Sequence, residues 1–169
     1  MKILTLLTLL IFPLLLAACG SIPHQPSAND SDAIHRVIES FRTAIIARDK
    51  PRFLALFHHG PLVWQSVLSD ATLARNREKR PDAIKARVDP GSTPQSFIDL
   101  IASEEKRNEE KFWNIQIHTD GDIAAVTFDY AYFYDNAETN HGKESWLMVR
   151  TESGWKITSV VYSVNLPDK

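Results

Sequence analysis

One cysteine, Cys19, stands in a chain of 169 residues. Without a second thiol no disulfide can close within the chain, and neither a CxxC pair nor a Cys/His zinc spacing can be written. Charge of one sign is also missing. Lys and Arg total 19 against 21 Asp and Glu, so the clustered positive field that nucleic acid requires is absent, as is an acidic tail. No G-x-x-x-x-G-K-[ST] phosphate loop occurs, nor any internal repeat or low-complexity tract, and nothing asks for a cofactor. What is present is apolar material: 44% hydrophobic residues, enough for one core of normal density in a single domain that folds without staples.

Long apolar runs are confined to the first residues. Met1-Lys2 gives a short positive start, and Ile3 to Leu16 is interrupted only by Thr5, Thr8 and Pro13. That run is shorter than the roughly 20 residues a membrane span needs and fits the apolar region of a secretory signal. Leu16-Ala17-Ala18-Cys19 follows, and resembles the bacterial lipobox, in which the thiol is acylated and becomes the mature N-terminus. A nucleophilic role would need a lowered pKa and an organised neighbourhood; Cys19 instead precedes the polar stretch "GSIPHQPSANDSD", which reads as a flexible tether. The expected division is a signal peptide over 1–18, a lipidated tether over 19–30, a folded domain over 31–165 and a tail over 166–169. Removing Lys2 with the leader leaves 18 basic against 21 acidic residues, a formal charge of −3. The lipoprotein resemblance implies a membrane partner through Cys19. With Gly20 and Ser21 after the cysteine in place of Asp, it implies the periplasmic side of the outer membrane, held by several acyl chains at about 0.8 kcal/mol per buried CH2.

The folded part begins with helix signals. Asp30-Ser31-Asp32 offers N-caps, and Ile34, Val37, Ile38, Phe41 and Ile45 recur at helical spacing. Asp49-Lys50-Pro51 closes one helix and opens a second, striped by Phe53, Leu56 and Phe57 and stopped by Gly60-Pro61. "LVWQSVLS" at 62–69 reads as a strand. Residues 70–92 mix Arg75, Arg77, Lys79, Arg80, Lys85 and Arg87 with four acids; they read as a long loop with a short strand near Ala83–Val88. That loop is a solvated segment, a lid, or a contact for anionic headgroups. Thr93-Pro94 opens a third helix with Phe97, Leu100 and Ile101 on one face. From Lys111 the period becomes two: "FWNIQIHT", "IAAVTFDYAYFYD", "ESWLMVRT" and "WKITSVVYSVN", with turns at Asp120–Asp122, Asn136–Gly142 and Ser153-Gly154. Helices first and an antiparallel meander last make an α+β domain.

This order, with "AIIARDKPRFLALF" between the first helices and "MVRTESGWKITSVVYS" near the end, resembles the nuclear transport factor 2-like superfamily, its SnoaL-like group in particular. "FWNIQIHTDGDIAAVTFDYAYFYDNAETNHGKESW" between them resembles bacterial envelope members of that fold. The resemblance runs from about Asp30 to Asn165. It implies a cone: a curved antiparallel β-sheet wrapped around three helices of the N-terminal half, with an apolar cavity at the open end. Isomerases, cyclases, dehydratases, binding modules and dimerisation domains share such cones, so the fold gives no activity.

Isomerase and cyclase members pair a carboxylate base with tyrosine or carboxyl donors. The strand around 126–134 places Val126, Phe128, Tyr130, Tyr132 and Tyr134 on one face and Asp129 on the other, where it reads as a surface acid. Glu144 shares a face with Trp146 and Met148 and can point inward as a base or pair across the sheet. His58 and His59 follow the second helix, where His59 suits a helix C-terminus; His118 and His141 lie near strand ends. None has metal-ligand spacing, so no metal is expected. The candidate catalytic residues are therefore Asp129, Glu144 and His59, and the candidate ligand-binding aromatics Trp64, Tyr130, Tyr132 and Trp146. The inward face is not fixed by pattern alone, because a one-residue slip reverses it. Three functions remain open: a binder of a small apolar ligand or an envelope protein partner, a SnoaL-like isomerase, cyclase or dehydratase, and a homodimeric scaffold. The last is suggested by Trp155, Ile157 and Val161 on one face of the final strand and Val160, Tyr162 and Val164 on the other.

Overall fold

The structure is a computed structural model that describes residues 28–168. The expected signal peptide, Cys19 and most of the expected tether lie outside the described residues. Helix α1 spans Ala28–Ala47, starting ahead of the expected Asp30 cap. Asp30 instead accepts from the Arg150 guanidinium at 3.2 Å. The helical spacing seals one face: Ile34, Ile38, Phe41 and Ile45 are each at most 4% exposed, each worth about 1.5–3 kcal/mol of burial. Arg48 takes a left-handed conformation, φ 56°, and its side chain donates to the carbonyls of Glu105 and Lys106, closing α1. Asp49 then caps α2, Lys50–Leu54, through the Arg52 amide.

Strand β1, Val63–Leu68, is followed by a helix where a loop is expected: α3, Asp70–Arg77, capped by the Ser69 hydroxyl on the Thr72 amide. The capping geometry outweighs the charged composition. The expected strand at Ala83–Val88 does not form. The segment touches β1 through single bonds, Leu68 N–H to the Lys85 carbonyl and the Gln65 amide to the Arg87 carbonyl, and Ile84 and Val88 stay exposed. Helix α4, Pro94–Ser103, opens on a reciprocal Thr93/Ser96 capping box.

Four strands complete one sheet in the order β1-β5-β4-β3-β2: β2 Asn108–Thr119, β3 Ile123–Tyr134, β4 Ala137–Thr151 and β5 Gly154–Val164. The meander is antiparallel, as expected; β1 lies parallel to β5, so the sheet is mixed. Two strands begin earlier than their hydrophobic pattern indicates. β2 starts at Asn108, and β4 at Ala137, because Asp135 and Asn136 (φ 53° and 66°) make a two-residue turn. The stretch expected as a 136–142 turn is strand.

Irregularities set which side chains face the helices. A shift at Asn114, φ 54°, lets Phe112 and then Ile115 and Ile117 face inward. A second shift opposite Leu147/Met148 leaves Thr158 as an extra residue of β5. Trp155 and Ile157 before it, and Val160 and Tyr162 after it, therefore all face inward, while Val161 is exposed. Much of the two-sided apolarity expected for this strand is thus a single face displaced by a bulge. Rings of Phe41, Phe53, Phe112, Phe128 and Trp146 meet at 4.6–6.3 Å and fill the space between α1 and the sheet.

Candidate functional site

The inward rows change character toward the ends of the strands nearest α4. Asn108 and Glu110 precede Phe112 on β2; Tyr130 and Tyr132 follow Phe128 on β3; Asn140 and Gly142 precede Glu144 on β4. The register sets Glu110 beside Tyr132 and Tyr132 beside Asn140, and Glu144 beside Tyr162. These residues enclose a cavity of about 170 Å3, roofed by Phe41 of α1, Phe97 and Leu100 of α4 and Trp64 of β1. Phe97 lies 5.3 Å from the Trp64 ring and 6.1 Å from Tyr132. Leu100 is 60% exposed and forms the rim.

Two carboxyls stand in this apolar frame. Glu110 is 4% exposed and Glu144 3%. Glu144 accepts from the Trp146 indole N–H at 2.5 Å. Burial raises Glu144 to about 7, opposed by that indole bond; burial, and then the negative charge of Glu144, raise Glu110 well above the carboxylate range. Among the described residues no cation offsets either acid, and the pair titrates as a unit. The other titratable groups facing them are Tyr130 and Tyr132 of β3 and Tyr162 of β5, all raised by burial first and by these carboxyls next. α1, α4 and β1 contribute only Phe41, Phe97, Leu100 and Trp64 to the lining.

The protons of Tyr130 and Tyr132 are already spent within the protein. Tyr130 Oη donates to Asn140 Oδ1 and the Ser163 carbonyl, each at 2.9 Å, and Tyr132 Oη donates to Asn108 Oδ1 at 2.7 Å. Asn108 is fixed in turn by donating to Glu104 at 2.7 Å. Gly142 permits the Ser163 contact: a Cβ there would stand 2.1 Å from the Ser163 carbonyl oxygen. The cavity therefore offers acceptors, carboxylate and phenolic oxygen, and few free donors.

Of the residues singled out from sequence, Trp64, Tyr130, Tyr132 and Glu144 line one cavity. Trp146, 1% exposed, lies beneath it as the donor to Glu144. Asp129 is on the opposite face of the sheet, bonded to Lys143 at 2.5 Å and Asn114 at 2.7 Å, which hold its carboxyl below the usual range. His59 and His58 are exposed on a separate groove beside Thr151–Ser153 and Lys156. His141 pairs with Glu138 at 2.8 Å on the outside, and His118 is exposed. Among the described residues no group of three or more His, Cys, Asp or Glu can hold a metal ion. Sequence reading missed Glu110 and Asn140. The signal for Glu110 was the alternation of β2 continued two residues back from Phe112.

Solved structures share the fold of this domain. A nuclear transport factor 2-like superfamily protein from Salmonella enterica aligns with TM-score 0.58 at 17% identity, covering 84% of this chain and 94% of its own. A candidate dehydratase of the same family from Streptomyces avermitilis aligns with TM-score 0.59 at 16% identity, over 82% and 98%. A protein from Nostoc punctiforme with a cystatin-like fold gives 0.58 at 12%, over 83% and 96%. The fold is nuclear transport factor 2-like. At these identities the likeness establishes the fold of the domain alone. No protein-family model matches the chain, and no curated protein matches it.

Proposed function

We propose that the chain is an envelope lipoprotein, anchored through Cys19 to the periplasmic side of the outer membrane, whose nuclear transport factor 2-like domain binds one small molecule in the cavity over Glu110 and Glu144. The observation that carries the binding reading is an enclosed aromatic chamber holding two buried carboxyls. A protein gains no stability from burying uncompensated acids; a partner for them restores the balance. The lipobox-like run ending at Cys19 supports the anchor. Native mass spectrometry of the full chain, extracted gently from its own envelope, tests the binding reading: a small-molecule adduct is expected, and it should vanish in Asn140→Trp, which fills the chamber. An adduct-free chain in both cases overturns it. Acyl labelling that persists in Cys19→Ser would overturn the anchor.

A second reading rests on the same pair. Two buried carboxyls in one cavity can divide into a general acid and a general base, the requirement for eliminating water from a small hydroxylated compound. The neighbour named as a candidate dehydratase fits it. Against an enolate-stabilising isomerase stands the commitment of both tyrosine protons to Asn108, Asn140 and Ser163. Water loss that survives Glu144→Gln would remove the second reading.

A further inference from the structure

Resting on the binding reading above, we infer that the ligand of this cavity is a small organic cation, an alkylammonium group seated between the Glu110 and Glu144 carboxylates and the aromatic walls. Three observations converge on that class. Both acids are buried with no cation among the described residues to meet them. Two of the three tyrosines around them present acceptor oxygens, since the Tyr130 and Tyr132 hydroxyls donate away to Asn140, Ser163 and Asn108. The remaining walls are ring faces and edges: Phe41, Trp64, Phe97 and Tyr162 with the two tyrosines. Ring faces attract positive charge through their quadrupole, most strongly where water is excluded, and carboxylates add the full charge of opposite sign.

An anion would meet two carboxyls of its own sign. A neutral apolar ligand would leave both acids without a counter-charge and favour their protonated forms. A hydrated metal ion finds too few ligands, because no third metal-binding acid, His or Cys joins the pair among the described residues. A cation meets both carboxylates at once, and by favouring their ionised forms its binding releases protons from acids that burial has raised. The chamber of about 170 Å3 admits a single head group of choline size and its short substituent, entering past the exposed Leu100.

The test uses a matched pair of probes, choline and its neutral isostere 3,3-dimethyl-1-butanol, on the full chain in a maltoside detergent, read by isothermal titration calorimetry. Choline should bind saturably and at least tenfold more tightly than the isostere. Calorimetry in buffers of different ionisation enthalpy should show proton release with choline and none with the alcohol. Glu110→Gln and Glu144→Gln should each weaken choline at least tenfold and leave the isostere unchanged. Both substitutions keep the side-chain shape, and raised melting temperatures will show that the variants fold. Equal binding of the two probes would overturn the cationic class while leaving the cavity a binding site. No binding of either would also overturn the class, and the adduct experiment above then decides separately whether the cavity binds anything.

Discussion

Along β4, Trp146 and Met148 face inward toward the end of the sheet with the β2–β3 and β4–β5 turns, and Asn140, Gly142 and Glu144 face inward toward the end with the β3–β4 turn. The neighbours follow suit. Val126 and Phe128 give way to Tyr130 and Tyr132 on β3, and Phe112 gives way to Glu110 and Asn108 on β2. The same alternation thus produces a filled core at one end and a lined chamber at the other. The difference is one of compensation. In the core ring meets ring, as Phe128 meets Trp146 at 5.0 Å and Phe112 at 4.6 Å. In the chamber each polar group either has a protein partner, as the tyrosines do, or, like Glu110, has none of opposite charge. Packing spends its side chains on stability, and the chamber withholds two of them.

Removing a ring at the filled end should be the costliest test of that contrast. Trp146→Ala should lose about 3–5 kcal/mol in chemical denaturation, more than any single change in the chamber lining, and should release Glu144 from its indole donor. Equal losses for Trp146→Ala and Tyr132→Phe would erase the distinction.

The chamber end should show its character in pH. Glu144 and Glu110 are raised in the folded state, so folding holds protons that the unfolded chain would release. Their favourable contribution is complete below about 4.5, the unfolded value, and falls as pH rises through about 7, the folded value of Glu144. Stability should drop between pH 5 and 8 by on the order of 3 kcal/mol, and the double variant Glu110→Gln/Glu144→Gln should flatten that slope. A wild-type slope of zero would mean that the acids are compensated after all.

Gly142→Ala probes the join between chamber and sheet. Its Cβ would strike the Ser163 carbonyl, which must move and release Tyr130, at about 1–3 kcal/mol. Denaturation midpoints check this, and an unchanged midpoint would show that β5 can step aside freely. Smallest of all is Asp129→Asn on the outer face. It breaks an exposed pair with Lys143 and should change neither melting temperature nor ligand binding, since such pairs contribute little; a measurable loss of binding would bring the outer face into the site.

Legibility in the sequence followed the same division. The apolar rows of α1 and β3 could be read directly, because burial imposes period 3.6 or 2 on them. So could the separation of Tyr130 and Tyr132 from Asp129 onto opposite faces of β3, though not which face is inward. Glu110 and Asn140 could not, because a polar residue on an inward position looks like a loop when it sits at the start of a strand. The 136–142 segment was lost for this reason, and its left-handed Asp135-Asn136 pair was the missed turn signal. The bulges at Asn114 and Thr158 leave no hydrophobic signature either, since each only exchanges one face for the other. α3 was hidden by charge; Ser69 as its cap was the available sign.

The direction of α1 carries a topographical consequence. Its first turn is tied through Asp30 to Arg150, which also reaches the Gly121 carbonyl at the β2–β3 turn. Its last turn, through Arg48, meets the chain just before β2, beside the chamber. The 20 residues of the helix span about 30 Å. With an anchor at Cys19, as proposed, the chain would enter the domain at the end bearing the β2–β3 turn, so the length of α1 would separate the tether from the chamber.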